Sequence, residues 1–416
     1  MTNPTNKEMG DASKHMPLKT DAYALEAGVL TLTSGPSDGP DIFRIAERIN
    51  PKRAFLFVST VLGRHIPVEP SLHRAALQTL AQGVSGHLLN GPVFVMGFAE
   101  TAVGIGAGIF DCLRLSDPAR EMGYLTTTRF APVDAGIWFS IEESHSHAVD
   151  HIILEPSAGV IKSGHDATLV LVDDETTTGK TFAKLAAELR DKGLIFGSVV
   201  LVTLTDWSNG RAVAAVGDIY PEGDVHSVCL QKGSWSWVPD DTREPMDLPG
   251  PCKATVPLWA PLAAQPYCAP RTGLSTQDAR QDGEDILSDL VAHGLLGLQA
   301  DDRTLVIGAG EHVWQPMLVA EAISLRGIYV RFITTTRSPI LIGDTIKQKL
   351  TFPDHYGQGF QMYLHNIVPS EWNRILLFTE TGHDGICATL IEAMGRLDVI
   401  DGAGHVSVFS AGSVPR

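Results

Sequence analysis

The chain has 416 residues, 44% of them hydrophobic and 19% charged, and its 32 Lys+Arg against 48 Asp+Glu leave a formal charge of −16. At ~150 residues per domain this is two or three domains with ample apolar side chains for real cores, which excludes a disordered chain. An acidic balance without a Lys/Arg cluster also excludes a chain-wide basic face for nucleic acid or a membrane surface, but not cations gathered locally around a phosphate.

Residues 1–22 are polar, with no apolar signal core, and read as a frayed tail. Beyond them short apolar runs alternate with helical patterns. Residues 54–59 (AFLFVS) predict a strand. Residues 70–83 predict a helix with Pro at its first turn, 92–98 (PVFVMGF) a strand and 101–113 a buried helix. Strands are expected at 124–128, 151–154, 167–172 (ATLVLV) and 199–204 (VVLVTL), with an amphipathic helix at 181–192 between the last two. Fully apolar strands alternating with helices mean a mostly parallel sheet covered on both faces. From 218 to 271 no helix is convincing, and the later part of that stretch reads as a Pro-rich linker. The pattern restarts with helices at 277–293, 313–326 and 386–395 and strands at 304–307, 328–333, 374–378 and 405–409. The expected division is a first domain at 23–235, a linker at 236–275 and a separate α/β domain at 276–416.

The five cysteines (Cys112, Cys229, Cys252, Cys268, Cys387) are odd in number and widely spaced, without a Cys-x-x-Cys pair. That argues against a disulfide framework or zinc ribbon and for reduced thiols in a cytoplasmic protein. No run approaches the ~18 apolar residues of a membrane helix.

The richest chemistry lies at 167–181, ATLVLVDDETTTGKT. An apolar strand ends at Asp173 and Asp174, and a hydroxyl-rich turn with Gly179 then opens a helix. Amides at a helix start favour an anion, threonine hydroxyls add donors, and glycine permits close approach. Carboxylates repel phosphate, so the two aspartates are matched instead to paired ribose hydroxyls, directly or through a divalent cation. A P-loop is the rival, because Gly179-Lys180-Thr181 ends like one, but its first glycine position holds Asp174. The plainer alternative is a strand–turn–helix whose acids and threonines only cap.

This stretch resembles the phosphoribosyl diphosphate (PRPP) motif of type I phosphoribosyltransferases. The resemblance implies ribose contacts from Asp173 and Asp174, which would also be the Mg2+ side chains, and a 5′-phosphate cradle from Thr177, Thr178, Gly179, Lys180 and Thr181. Lys180 stands where a small residue is usual, so it points outward or adds a charge. The family order continues with Arg64 and His65 as donors on a diphosphate-side loop after the 54–59 strand. Gly97, Ala99, Glu100 and Thr101 fall at the diphosphate loop, where Glu100 binds Mg2+ or faces away. Residues 130–150 fall where the family has a mobile lid, and its His145 and His147 are either proton-transfer or phosphate groups or part of a solvated loop. Trp207 follows the next strand, where it stacks on an acceptor base or serves the core.

Three loops follow apolar strands in the C-terminal part. They carry Gly308, Gly310 and Glu311; Arg337 and Ser338; and Glu380, His383 and Asp384. Parallel strands would gather them at one sheet edge as a second, anion-binding site with Arg337 on the anion. The string Thr336-Arg337-Ser338-Pro339 resembles the signature of the TRSP domain, which occurs C-terminal to a distinct phosphoribosyltransferase family associated with bacterial tellurite-resistance and stress-response gene clusters. The two resemblances together imply a type I phosphoribosyltransferase-like domain followed by a Rossmann-like α/β domain. The implied enzyme ribosylates an unidentified acceptor from PRPP and Mg2+ in making a nucleoside-like metabolite, with small molecules and a second copy of itself as its partners. The other readings are a ribosyl enzyme running in reverse or using another donor, and a non-catalytic PRPP- or nucleotide-binding regulator.

Overall fold

The computed structural model describes residues 18–35, 41–50, 53–132, 135–142, 151–242, 250, 252, 271–276, 283–292, 296–382 and 385–412. Five parallel strands form the middle of the larger sheet. Across it they run Asp224–Pro239, Phe196–Asp206, Gly164–Val172, Val93–Gly97, Met122–Thr126. Numbered along the chain from Val93–Gly97, the order is 2-1-3-4-5. The aspartate-bearing strand is therefore central. Its side chains alternate between faces, as a period of two requires. Val170 and Val172 join the core under helices Pro70–Ser85 and Val103–Ser116. Leu169 and Leu171 join the core under Lys180–Asp191 and Arg211–Gly217. Burial on both faces explains why the run is apolar throughout.

The sheet edges differ from the sequence expectation. Pairing begins at Lys19, inside the stretch read as tail: Lys19–Leu25 lies antiparallel to Gly28–Ser34. That strand pairs in turn with the second half of Asp224–Pro239. These strands are half-buried, so their alternation of small, polar and apolar residues gives little contrast. Phe55–Ser59 forms as a strand but lies outside the large sheet, paired antiparallel to Phe43–Glu47. An apolar run specifies burial but not which sheet receives it. This hairpin packs Phe55 and Phe57 against Trp207, Trp235 and Trp237.

The second sheet runs Tyr329–Thr334, Arg303–Gly308, Arg374–Phe378, Arg396–Ile400, Val406–Ser410, all parallel except the last. Trp314–Leu325 and Gly283–Ala292 cover one face and Ala388–Met394 the other. Arg396–Ile400 and the hairpin Lys349–Pro353/Gln361–His365 lacked a clear signal, because charged and polar residues interrupt both.

The two sheets are not separate bodies. One core runs from Val61, Leu62, Val68 and Ile105 to Val306, Trp314, Met317 and Phe332. Val68 and Phe332 exchange backbone hydrogen bonds of 2.9 Å each way, and Thr334 N donates to Gly63 O at 2.8 Å. The 61–68 segment thus covers the edge strand of the second sheet. Arg74 reinforces the seam with a fork onto Glu321 (2.7 and 2.6 Å) and a bond to Asp111 (2.9 Å). Among the described residues no helix is long and apolar enough to cross a membrane.

Candidate functional site

Strand Gly164–Val172 delivers Asp173 and Asp174 to the C-terminal edge of the sheet. Asp173 N donates to Val202 O (2.9 Å), while Leu204 N and Thr205 N donate to Asp174 O (3.0 and 3.2 Å). The backbone is therefore held between strands while the carboxylates stay half-buried at the edge. Asp174 N also donates to Asp173 Oδ1 at 2.9 Å. Burial, with Glu175 beside it, pushes the Asp174 carboxyl up to about 6, although the hydrogen bond with Asp173 works the other way. Glu175 itself accepts a guanidinium fork from Arg53, with Nη2 to Oε2 at 3.1 Å.

The turn that follows is built for close approach. Gly179 has φ +73°, and a Cβ there would lie 2.3 Å from Ala212 Cα. Gly179 has no side chain to cap helix Lys180–Asp191; Lys180 N makes a long bond to Thr178 Oγ1 (3.4 Å), and a helix start of this kind suits an anion. Thr177 is half-buried, Thr178 exposed and Thr181 half-buried at this turn, and Lys180 is exposed. Arg211 Nη2 donates to Thr177 O at 2.9 Å, which adds a cation to the turn.

The neighbouring strand Val93–Gly97 brings the 98–102 loop alongside. Phe98 N donates to Val172 O at 3.0 Å, one residue before the aspartates. Gly97 allows the loop to fold back, since a Cβ there would lie 2.8 Å from Ala102 O. The Ala99–Glu100 peptide is cis. Ala99 N donates to Thr127 Oγ1 (2.8 Å), which meets His151 Nδ1 (2.9 Å), while Arg129 Nη2 donates to His151 Nε2 (3.0 Å). Thr101 is half-buried on the same loop.

Glu100, on the same 98–102 loop, is buried in the seam. Arg64 pairs with one of its oxygens and Arg337, from the C-terminal half, with the other. Burial alone would push this carboxyl up; Arg337, Arg64 and Arg129 outweigh it and hold Glu100 below the ordinary carboxylate value. Arg64, expected as an open donor, is only 4% exposed and also donates to Gly310 O (3.1 Å) and Thr334 Oγ1 (3.2 Å). His65 is buried with its ring 5.4 Å from that of His365, and burial first, then His365, lowers its pKa well below the usual value.

Among the described residues, the three C-terminal loops are linked to the 98–102 and 127–130 loops, the third of them through Arg271. Thr335 N donates to Gly308 O (2.9 Å) and Gly310 N to Thr335 Oγ1 (2.8 Å). Gly308 ends strand Arg303–Gly308, and helix Trp314–Leu325 begins only after a further loop that holds Gly310. Glu311 accepts from Thr128 Oγ1 (2.5 Å), Arg129 N (2.6 Å) and Arg271 Nε (3.2 Å). Glu380 takes a fork from Arg271 (2.6 and 2.7 Å) and a bond from Tyr356 Oη (3.1 Å). Glu311 and Glu380 are 1% and 2% exposed. Both were expected in the second site; inside the seam each is paired to Arg271. Ser338 is half-buried, its amide donating to Thr336 Oγ1 at 3.2 Å. His145, His147, His383 and Asp384 lie outside the described residues.

Trp207 is 2% exposed and stacks on Phe57 at 4.6 Å, with Phe43 edge-on at 5.5 Å. Its ring serves the aromatic core and offers no face to an acceptor. Arg53, Arg129, Arg211 and Arg271 were missed from sequence. Arg53, Arg129 and Arg271 lie in loops and Arg211 opens a short helix, and no spacing rule singles any of them out.

Residues 42–233 match a family model described as phosphoribosyl transferase, and residues 269–394 match the TRSP domain that lies C-terminal to it. The chain thus carries a phosphoribosyl transferase region followed by a TRSP domain. Among solved structures, this phosphoribosyl transferase is similar to the adenine phosphoribosyl transferase of Trypanosoma brucei at 11% identity, over 47% of this chain and 82% of that one, with a TM-score of 0.33. It is also similar to the adenine phosphoribosyltransferase of Thermoanaerobacter pseudethanolicus (18% identity, 46% and 95% covered, TM-score 0.30). The orotate phosphoribosyltransferase of Aeropyrum pernix gives 20% identity, 45% and 87% covered, and a TM-score of 0.29. No curated protein matches the chain.

Proposed function

We propose that the phosphoribosyl transferase takes PRPP as its donor and that an acceptor nucleophile displaces diphosphate at C1′, giving a nucleoside-like product. The acceptor's electron pair forms the new bond to C1′ as the bond to diphosphate breaks, and the diphosphate leaves with that pair. One observation carries the reading. Two half-buried aspartates end the central strand and pass directly into a glycine turn that opens a helix. The turn offers amides to the 5′-phosphate with Arg211 beside it, and the carboxylates accept from the ribose hydroxyls. The work of such a site is positioning and stabilisation of developing charge.

The donor set fits Mg2+, which usually takes one or two carboxylates and completes its shell with water and substrate oxygens. Asp173 and Asp174 would hold it, and when bound with PRPP it would neutralise charge on the diphosphate.

The test combines assay and binding. Protein incubated with PRPP, Mg2+ and a panel of bases should release diphosphate, followed by mass spectrometry. Asp173→Asn with Asp174→Asn should lower PRPP affinity at least tenfold by calorimetry, since hydrogen bonds to charged groups are worth ~1.5–3 kcal/mol each. Unchanged affinity would overturn the ribose assignment.

A further inference from the structure

The seam between the halves holds charge that the site described so far does not use. Arg64, Arg129 and Arg337 surround a single carboxylate, Glu100. Deeper in, Arg271 pairs with two carboxylates, Glu311 and Glu380. Among the described residues, Arg64 and Arg337 share the one carboxylate of Glu100, on a loop whose first residue, Phe98, is bonded to Val172 of the strand that leads to Asp173.

The guanidiniums are not equivalent. Arg64 is nearly fully buried and its second nitrogen is held by Gly310 O and Thr334 Oγ1. Arg129 is committed to His151. Arg337 has the most exposed side chain of the Arg64–Glu100–Arg337 set, at 17% against 4% and 7%. Its guanidinium lies 5.4 Å from the centre of the Phe130 ring and 5.1 Å from that of Phe360, so its position is set from two sides. Phe130 is itself stacked on Tyr356 at 4.1 Å, which links the clamp to both halves.

We infer that the diphosphate end of the phosphoribosyl site is built by both halves of the chain, with Arg337 of the TRSP domain supplying a guanidinium to the departing diphosphate. A planar fork with several donors suits phosphoryl oxygens better than a point charge. Glu100 keeps Arg337 beside the 98–102 loop in the ligand-free protein, and Arg64 keeps Glu100 in place. Arg64 and Glu100 are then positioning residues, and Arg337 is the ligand contact. The inference rests on the phosphoribosyl reading above and adds to it a contribution from the second domain.

The experiment uses the full chain and two probes, inorganic diphosphate with Mg2+ and ribose 5-phosphate, each measured by calorimetry. Arg337→Ala should weaken diphosphate binding at least tenfold and leave ribose 5-phosphate within twofold. Arg337→Lys should lose less than Arg337→Ala. Arg337→Gln, which keeps much of the side-chain length between the two rings, carries the same test if the alanine variant does not fold. A purely structural role would weaken both probes together, and that result overturns the inference. Diphosphate binding unchanged in a folded Arg337→Ala or Arg337→Gln protein, with wild type binding both probes, overturns it alone. Wild type binding neither probe brings down the phosphoribosyl reading as well.

Discussion

In the proposed site Asp174 accepts from ribose hydroxyls, which it does best as an anion, yet burial and the neighbouring Glu175 push its carboxyl up to about 6. Ligand hydroxyls that donate to the carboxylate favour the ionised form. PRPP binding near pH 6 should therefore release a proton from Asp174, and affinity should rise with pH through about 6 before levelling. Calorimetry in two buffers of different ionisation enthalpy reads the proton count. The second ionisation of the ligand's own phosphate, near ~6, is common to wild type and Asp174→Asn and drops out of their difference. Equal proton release in the two proteins would contradict the assignment. The same shift has a stability consequence. The empty folded protein holds a proton that the unfolded chain lacks between the ordinary carboxylate value and about 6. This contribution is full at low pH and is lost as pH rises through about 6. The aspartates themselves were legible in the sequence, because two acids closing so apolar a strand are conspicuous. The raised Asp174 was not, since burial at a strand end depends on what packs beside it.

At the scale of elements, the turn between strand Gly164–Val172 and helix Lys180–Asp191 is set by a second helix that the sequence does not place there. Arg211–Gly217 comes so near that a Cβ on Gly179 would strike Ala212, and φ +73° independently disfavours any side chain. Gly179→Ala should destabilise the protein by more than the ~1–2 kcal/mol of a left-handed residue alone, because the clash adds to the strain. It should also displace the first-turn amides. Urea denaturation reads the first effect and ribose 5-phosphate binding the second; a variant with wild-type values for both would show that the turn has slack. Most strands and helices were legible as periodic or apolar runs. The hairpin of Phe43–Glu47 and Phe55–Ser59 was legible only in part, since its role is decided by the aromatic cluster with Trp207 and Trp235. Arg53 joins that hairpin to the motif: its guanidinium lies 4.7 Å from the Phe55 ring centre while forking onto Glu175.

For the whole molecule, the shared core makes the two halves interdependent. A chain ended after residue 242 would uncover Val61, Leu62, Val68 and Val103 and would leave Arg64 and Glu100 without Gly310, Thr334 and Arg337. Stripping both apolar surface and charge partners is costly on each count. The fragment is expected to melt without a cooperative transition and to bind a hydrophobic dye. A cooperative melt close to that of the full chain would show that the core divides cleanly at the seam.

The chain's own order of residues determined the element types, the parallel sheet and the aspartate–threonine–glycine turn, because periodicity, apolar runs and helix-start chemistry are local. It also marked all three C-terminal loops as places where something polar is held. Tertiary structure alone decided what they hold. Glu311 and Glu380 close on Arg271, Arg337 reaches a carboxylate on the other half, and Trp207 turns into an aromatic core. These partners are distant in sequence, and an ion pair or stacked ring depends on which surfaces the fold brings face to face. Nothing in the spacing of Glu100 and Arg337 announces that two sheet edges meet there.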